Sequence, residues 1–220
     1  MSYQWNWGVF LQPSASGDDT YLGWMLAGFK MTITLSLTAW VLALLLGALI
    51  GVLRTVPNKA LAGFATGYVE LFRNVPLLVQ LFIWYFVLPE LLPESIGNAY
   101  KQSNPMLQQF LASMVCLALF TSARVAEQVR SGINSLPRGQ KNAGLALGFT
   151  LPQTYRFVML PMVCRLVVPP LTSEFLNIFK NSAVCSTIGL MELAAQGRQL
   201  VDYTAQPYES FIAVTLSYIA

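Results

Sequence analysis

The residues that could do chemistry in this sequence are charged and amide side chains set among apolar ones. Arg124 follows the apolar run 117–123. An arginine at membrane depth is costly unless it is paired or faces water. Its planar guanidinium could grip a substrate carboxylate, or it could pair with Glu127 one helical turn away. The sequence leaves both interpretations open.

Three further residues are candidates for the same polar path. Lys180 could extend its ammonium group to a membrane surface, or it could add a second positive charge to the path. Gln80 and Asn177 could offer uncharged hydrogen bonds in a pore, although such amides also bridge helices. Glu174 is expected to pair with Lys180 or Arg165, because a carboxylate facing an anionic substrate would be unfavourable.

The composition excludes several kinds of chemistry. With no histidine there is no imidazole for a proton relay, a zinc site or a Ser-His triad. Cys116, Cys164 and Cys185 lie in or beside apolar segments without metal-like spacing, which favours packing roles. The sequence lacks a G-x-x-x-x-G-K-[ST] phosphate loop, so it does not bind ATP in that manner. We expect no covalent chemistry, no metal and no cofactor.

The elements that must position these residues are membrane helices. The 220 residues are 55% hydrophobic and only 10% charged, which is too apolar for an ordinary soluble domain. The 13 basic residues are spread thinly, which argues against nucleic-acid binding. We predict an all-α, polytopic membrane protein with about five transmembrane helices, in which residues 1–28 form an extracytoplasmic segment and residues 29–220 the membrane domain.

The first predicted transmembrane helix is Met31 to Leu53, a run of about 23 uncharged residues. Gly47 and Gly51 have the G-x-x-x-G spacing that lets membrane helices pack closely. Basic residues follow this helix and acidic ones precede it, so we expect its amino terminus outside the cell. The start of the chain, which lacks a basic region and an apolar core, is not a cleaved signal peptide.

Two further apolar segments follow. Residues 62–92 contain a proline at position 76, and Glu70 and Arg73 are predicted to pair because they lie one turn apart. Residues 106–132 form the third predicted helix, whose second half carries three charges on one face.

The last part of the chain is less regular. The segment 156–180 contains Pro161 and Pro169-Pro170, which predict a broken helix lining a cavity. Residues 181–206 are predicted to form a re-entrant or gate segment. A fifth helix opens at Glu209, but its apolar run is about half the length of a span, so we expect the natural chain to continue.

A polar, basic loop over residues 136–161 separates the third and fourth segments. Pro137 suits the start of a helix, and Gly148 suits its end because glycine tolerates a left-handed conformation. Thr150 and Gln153 have the spacing of a capping box that begins a second helix. These signals predict a bent pair of short helices on the cytosolic membrane surface, available to a partner protein. An interfacial loop without a partner is the alternative.

The order of residues in this loop resembles the E-A-A-x-x-x-G-x9-I-x-L-P motif of importer-type ABC transporter permeases. The residues that carry the resemblance are Asn142, Ala143, Gly144, Gly148, Leu160 and Pro161. The resemblance implies that they form the coupling helix, which docks in a groove of a cytosolic ATPase. Asn142 replaces the glutamate, Gly144 the second alanine and Val158 the isoleucine, and the missing carboxylate removes one possible salt bridge.

Two more stretches are similar to the polar amino acid branch of these permeases, residues 70–80 and 169–175. The resemblance implies a permease subunit in a bacterial inner membrane, with a second permease chain, two ATPases, an extracytoplasmic solute-binding protein and ATP-driven alternating access. Relatives usually have an aromatic or small residue where this chain has Arg124. The arginine and the whole chain therefore indicate glutamate/aspartate importers, with another polar amino acid such as glutamine as the alternative.

Three other classes of protein share some of these sequence features. A secondary transporter also uses broken helices and buried charges. However, it needs no bent pair of helices on the cytosolic surface, and it usually has more membrane helices. A membrane enzyme is disfavoured because histidine is absent. A scaffold subunit that does not transport stays possible on sequence grounds.

Overall fold

A computed structural model describes residues 3–219, and these residues are helical apart from short connections. The α-helices are α1 Tyr21–Leu53, α2 Lys59–Asn74, α3 Leu77–Phe82, α4 Leu88–Leu91, α5 Glu94–Lys101, α6 Pro105–Ser135, α7 Arg138–Ala146, α8 Leu151–Gln153, α9 Leu160–Ser182, α10 Leu193–Thr204 and α11 Pro207–Ile219. Segments Trp7–Leu11 and Ala183–Ile188 are 3-10 helices, and Ile83–Val87 and Thr154–Met159 are π-helical. The predicted all-α fold is confirmed.

Three helical stretches are long and apolar enough to cross a membrane: Tyr21–Leu53, Pro105–Ser135 and Leu151–Ile188. A fourth is formed if the bent pair Lys59–Asn74 and Leu77–Leu91 counts as one span. Helix α11 has 13 residues within the part that the structure describes, fewer than the roughly 20 that a span needs. The predicted count of about five therefore stays a prediction.

The helix boundaries follow the local signals with two differences. Helix α1 begins at Tyr21, ten residues before the uncharged run, and it continues through Lys30 because lysine is a good helix former. The segment 62–92 breaks before Pro76, where Val75 is extended (φ −87°, ψ 130°).

The predicted break at Pro169 and Pro170 is wrong. Both prolines lie inside α9, which is continuous from Leu160 to Ser182. Proline removes an amide donor, but its fixed φ near −65° is itself helical, so a helix can run through it with a hydrogen bond missing. Pro161 does not break the chain either, since it is the second residue of α9.

Backbone contacts separate the chain into two compact units. The first comprises the described residues up to Thr38, then Leu77–Cys116, and the chain from Phe179 onward. Its core joins the start of α1 to α10 and α11 through six buried side chains: Val9, Tyr21, Met25, Leu193, Leu200 and Val214. The predicted re-entrant segment is a 3-10 turn ending at Gly189 (φ +89°), followed by α10, which is too short to span.

The second unit comprises Ala39–Pro76 and Leu117–Ile178. Gly47 and Gly51 pack α1 directly on α6: an added Cβ would lie 2.6 Å from the Ser122 carbonyl oxygen and 2.7 Å from that of Ala126. The predicted close-packing role of these glycines is confirmed. A second cluster joins α6 to the start of α9 through buried Val125, Val129, Ile133, Tyr155, Met159, Val163 and Val167.

Candidate coupling loop and polar-path residues

The loop between α6 and α9 begins with α7, which ends in a glycine cap. Gly148 adopts φ +87°, a conformation that glycine takes without strain. Its amide donates to the Leu145 carbonyl at 3.0 Å, and the Phe149 amide donates to the Gly144 carbonyl at 3.2 Å. These two bonds form a Schellman motif, so the predicted helix end is confirmed.

The chain then turns at once into a second helix. The Thr150 amide donates to Gln153 Oε1 at 2.8 Å, and the Gln153 amide donates to Thr150 Oγ1 at 3.4 Å. This reciprocal pair is the predicted capping box. Helix α8 leads through the π-helical segment Thr154–Met159 into α9, so the second helix and the fourth membrane segment are one continuous helical stretch.

Gly144 allows the two arms of the bend to approach. A Cβ at this position would lie 2.8 Å from Cγ2 of Thr154, a side chain that is fully buried. By contrast, Asn142 and Ala143 are exposed, and Leu147 is 77% exposed. The bend therefore has a packed inner side and a free outer side with an apolar residue at its tip.

Tyr155 ties the loop to the end of α1. Its hydroxyl lies 2.9 Å from the backbone carbonyl oxygen of Thr55 and 3.2 Å from the Thr55 Oγ1. Its ring is buried, and the Lys141 ammonium lies 6.0 Å from the ring centre. The sequence alone indicates only an apolar residue at Tyr155, because a hydrogen-bond partner 100 residues away leaves no local signal.

Glu127 is the centre of a charge cluster that the sequence did not predict correctly. It forms ion pairs with Arg54, with Arg73 at 3.2 Å and with Arg130 at 3.3 Å. Glu70 was the predicted partner of Arg73, but Glu70 is exposed, and among the ion pairs of residues 3–219 it has none. Tertiary packing of α2 on α6 places the Glu127 carboxylate beside Arg73 instead.

The polar-path candidates are distributed over both units. Arg124 is exposed and does not pair with Glu127; its guanidinium lies 4.7 Å from the centre of the Phe120 ring on the preceding turn. Asn177 is half-buried in the second unit, and the described residues show no hydrogen bond between it and Arg124. In the first unit Gln80 is buried and Lys180 exposed.

The predicted pairing of Glu174 is not observed. The ion pairs among residues 3–219 do not include Glu174, Arg165 or Lys180. Glu174 and Arg165 lie on the same helix about 13 Å apart along its axis, which is too far for a direct contact.

The chain as a whole has counterparts among known proteins. The sequence pattern of the family described as binding-protein-dependent transport system inner membrane component matches residues 43–220. The chain belongs to this family. It is a permease subunit and not an enzyme.

Individual relatives agree with this assignment. The permease is 60% identical to the glutamate/aspartate import permease protein GltJ of Escherichia coli K12, over all of this chain and 89% of that protein. It is 34% identical to the probable glutamine ABC transporter permease protein GlnM of Bacillus subtilis 168, over 87% of this chain and 83% of that one.

A solved structure also matches the permease. A crystal structure of an amino acid ABC transporter with histidines superimposes with a TM-score of 0.76 and 30% identity, covering 90% of this chain and 87% of that one. The fold built from α1 to α11 is thus that of an amino acid ABC transporter permease.

Proposed function

We propose that this permease carries glutamate and aspartate across a bacterial inner membrane in an ATP-driven importer. The observation that carries the proposal is the 60% identity to a glutamate/aspartate import permease, which extends over the whole chain rather than over the loop motif alone. Identity to the glutamine relative is 34%, so glutamine is the second candidate substrate.

The loop over residues 136–161 supports an ATP-driven mechanism. Its outer side presents Asn142, Ala143 and Leu147 to solvent, while Gly144, Gly148 and the capping box fix the bend. A rigid, exposed bend transmits the motion of a bound ATPase subunit to the membrane helices better than a flexible loop does. We assign the outer side to the docking of an ATPase subunit, with Leu160 and Pro161 fixing the start of the membrane helix that receives the motion.

The partners follow from this assignment. The complex contains two ATPase subunits, a second permease chain, identical or paralogous, and an extracytoplasmic solute-binding protein. The loop faces the cytosol, because basic residues flank α1 on the loop side and acidic residues precede it. The amino terminus is therefore outside the cell.

Arg124 is the residue that we assign to the acidic substrate. Its guanidinium is exposed and has no carboxylate partner among the described residues, since Glu127 pairs with three other arginines. An arginine fork that is not neutralised within the protein can bind a carboxylate with two hydrogen bonds. Lys180, Asn177 and Gln80 are assigned to the same path as weaker contributors.

The assignment is tested by uptake of radiolabelled glutamate, aspartate and glutamine into proteoliposomes containing the full complex. Arg124→Gln should lower uptake of the two acidic amino acids by about tenfold relative to glutamine, the loss of one charge-assisted contact. Arg165→Gln is the control, because Arg165 is also exposed and outside the observed ion pairs. Equal loss for all three substrates, or no loss, would show that Arg124 does not select the carboxylate.

A further inference from the structure

The charge cluster around Glu127 contains more positive than negative charge. Arg54, Arg73 and Arg130 converge on one carboxylate. One negative charge balances one of the three guanidinium groups, so the cluster keeps a surplus of two positive charges. Such a surplus at one point of a membrane protein requires an anion nearby or access to water.

The three arginines differ in how exposed they are and in how many of their N–H groups have a hydrogen-bond partner. The Arg54 side chain is 7% exposed and belongs to the innermost pair, yet its Nε is buried without a hydrogen-bond partner among the described residues. Arg73 and Arg130 are 48% and 40% exposed. Each touches Glu127 at 3.2 or 3.3 Å, longer than the roughly 2.7–2.9 Å of a good charge-assisted bond. The described residues show no other acceptor for these two guanidinium groups, so their exposed N–H groups are available to an anion.

The position of the cluster along α1 identifies that acceptor. Arg54 directly follows Leu53, the last residue of α1, and the run from Met31 to Leu53 is about 34 Å long, enough to cross the hydrocarbon core. The cluster therefore lies at the level of the lipid headgroups. With the proposed orientation this is the cytoplasmic leaflet, where anionic lipids attract basic side chains.

We propose that Arg73 and Arg130 bind a phosphate group at this site, supplied by an anionic phospholipid of the cytoplasmic leaflet. Two guanidinium forks can each donate two hydrogen bonds to phosphate oxygens, which a lysine cannot do. Glu127 positions both forks, and its pair with Arg54 anchors the carboxylate on the end of α1. The site holds the headgroup at the place where α1, α2 and α6 meet.

The proposal is tested on the purified complex in detergent supplemented with equal amounts of phosphatidylcholine and phosphatidylglycerol, with native mass spectrometry to count retained lipids. The wild type should retain phosphatidylglycerol preferentially. In Arg73→Gln/Arg130→Gln the affinity should fall about fivefold for each arginine removed. This variant should fold, because Glu127 keeps its pair with Arg54.

Two further variants make the result specific. Arg73→Lys/Arg130→Lys keeps both charges but loses the forks, so its retention should lie between wild type and the Gln variant. Lys59→Gln/Arg165→Gln also removes two exposed positive charges, from residues outside the observed ion pairs, and should retain lipid like wild type.

Other outcomes overturn the proposal. Equal phosphatidylglycerol retention in wild type and Arg73→Gln/Arg130→Gln contradicts a lipid site at these arginines. If inorganic phosphate raises the melting temperature of wild type but not of this variant, while lipid retention is the same in both, the site takes a soluble anion instead. If the variant loses its ATPase subunits and keeps its lipid, the arginines are a protein contact.

Discussion

The hydroxyl of Tyr155, in the loop between α6 and α9, lies 2.9 Å from the carbonyl oxygen of Thr55, two residues beyond the end of α1. Thr55 is adjacent to Arg54, which pairs with Glu127 on α6. The loop that we assign to ATPase docking is thus bonded to the same short connection that anchors the charge cluster. Motion of the loop would reach α1 and α6 through this contact.

Tyr155→Phe should weaken that connection without disturbing the apolar core. The ring stays buried and only the hydroxyl is lost, which costs about 1 kcal/mol of stability. We expect a small fall in the melting temperature of the complex and fewer substrate molecules carried per ATP hydrolysed. Tyr203→Phe is the control, because the Tyr203 side chain is 57% exposed. An unchanged transport-to-hydrolysis ratio would show that the contact is only structural.

Gly144→Ala should destabilise the bend, although alanine is the better helix former. The new Cβ would meet Cγ2 of buried Thr154 at 2.8 Å, and overpacking of this kind costs about 1–3 kcal/mol. We expect a lower melting temperature and weaker retention of the ATPase during purification.

Two variants test this explanation of the bend. Gly144→Ala/Thr154→Ser removes the methyl group that clashes and should recover most of the loss. Gly139→Ala in the same helix meets no atom within 4 Å, so it should not destabilise the complex. If Gly139→Ala is as harmful as Gly144→Ala, the packing explanation is wrong.

Glu192 organises the first unit and should be sensitive to substitution. Its buried carboxylate caps α10 by accepting from the amides of Ala194 (2.9 Å) and Ala195 (2.8 Å), and it accepts from the Tyr218 hydroxyl at 2.9 Å. Glu192→Ala leaves these donors without an acceptor and should cost about 2–4 kcal/mol. Thermal unfolding of the complex measures the loss.

The controls for this prediction separate capping from general charge removal. Glu192→Gln keeps one oxygen and should lose about half as much stability as Glu192→Ala. Glu94→Gln, at an exposed position, should be nearly neutral. Similar melting temperatures for wild type and Glu192→Ala would contradict a capping role.

The amino-terminal segment should detach from α11 at high pH, because the Tyr3 hydroxyl donates to the Glu209 carboxylate on that helix. Partial desolvation of the hydroxyl and its hydrogen bond to Glu209 raise the pKa of Tyr3 from 10.0 to about 12. A raised pKa means that the folded chain prefers the protonated hydroxyl. Its contribution is complete below pH 10.0 and disappears as the pH rises through about 12.

Tryptophan fluorescence can follow this detachment, because the Trp5 ring centre lies 5.3 Å from that of Tyr3. The wild type should show a transition near pH 12 that Tyr3→Phe lacks. A wild-type transition near pH 10.0, the ordinary value for tyrosine, would contradict the contact.

The features predicted correctly from sequence are those fixed by near neighbours. The cap at Gly148 and the box formed by Thr150 and Gln153 depend on residues within one or two turns, so residue type and spacing were sufficient. The glycine pair at 47 and 51 was also predictable, because only small residues let two membrane helices approach closely.

The features predicted wrongly depend mainly on tertiary structure. Arg73 pairs with Glu127 rather than with Glu70, because packing of α2 on α6 places a carboxylate beside it. Prolines 169 and 170 were expected to break a helix, but their backbone angle is compatible with helix and α9 continues through them. The sequence does not reveal the role of Glu192, because a glutamate that caps a helix in the protein interior cannot be told from a surface glutamate by residue type alone.

The most direct test of the central claim is uptake by proteoliposomes that contain the complete complex. The assay compares labelled glutamate, aspartate and glutamine, with and without ATP on the side of the bilayer where the ATPase subunits lie. We expect accumulation of glutamate and aspartate that requires ATP and exceeds accumulation of glutamine. ATP-independent accumulation would contradict the ABC mechanism, and a preference for glutamine would contradict the acidic substrate.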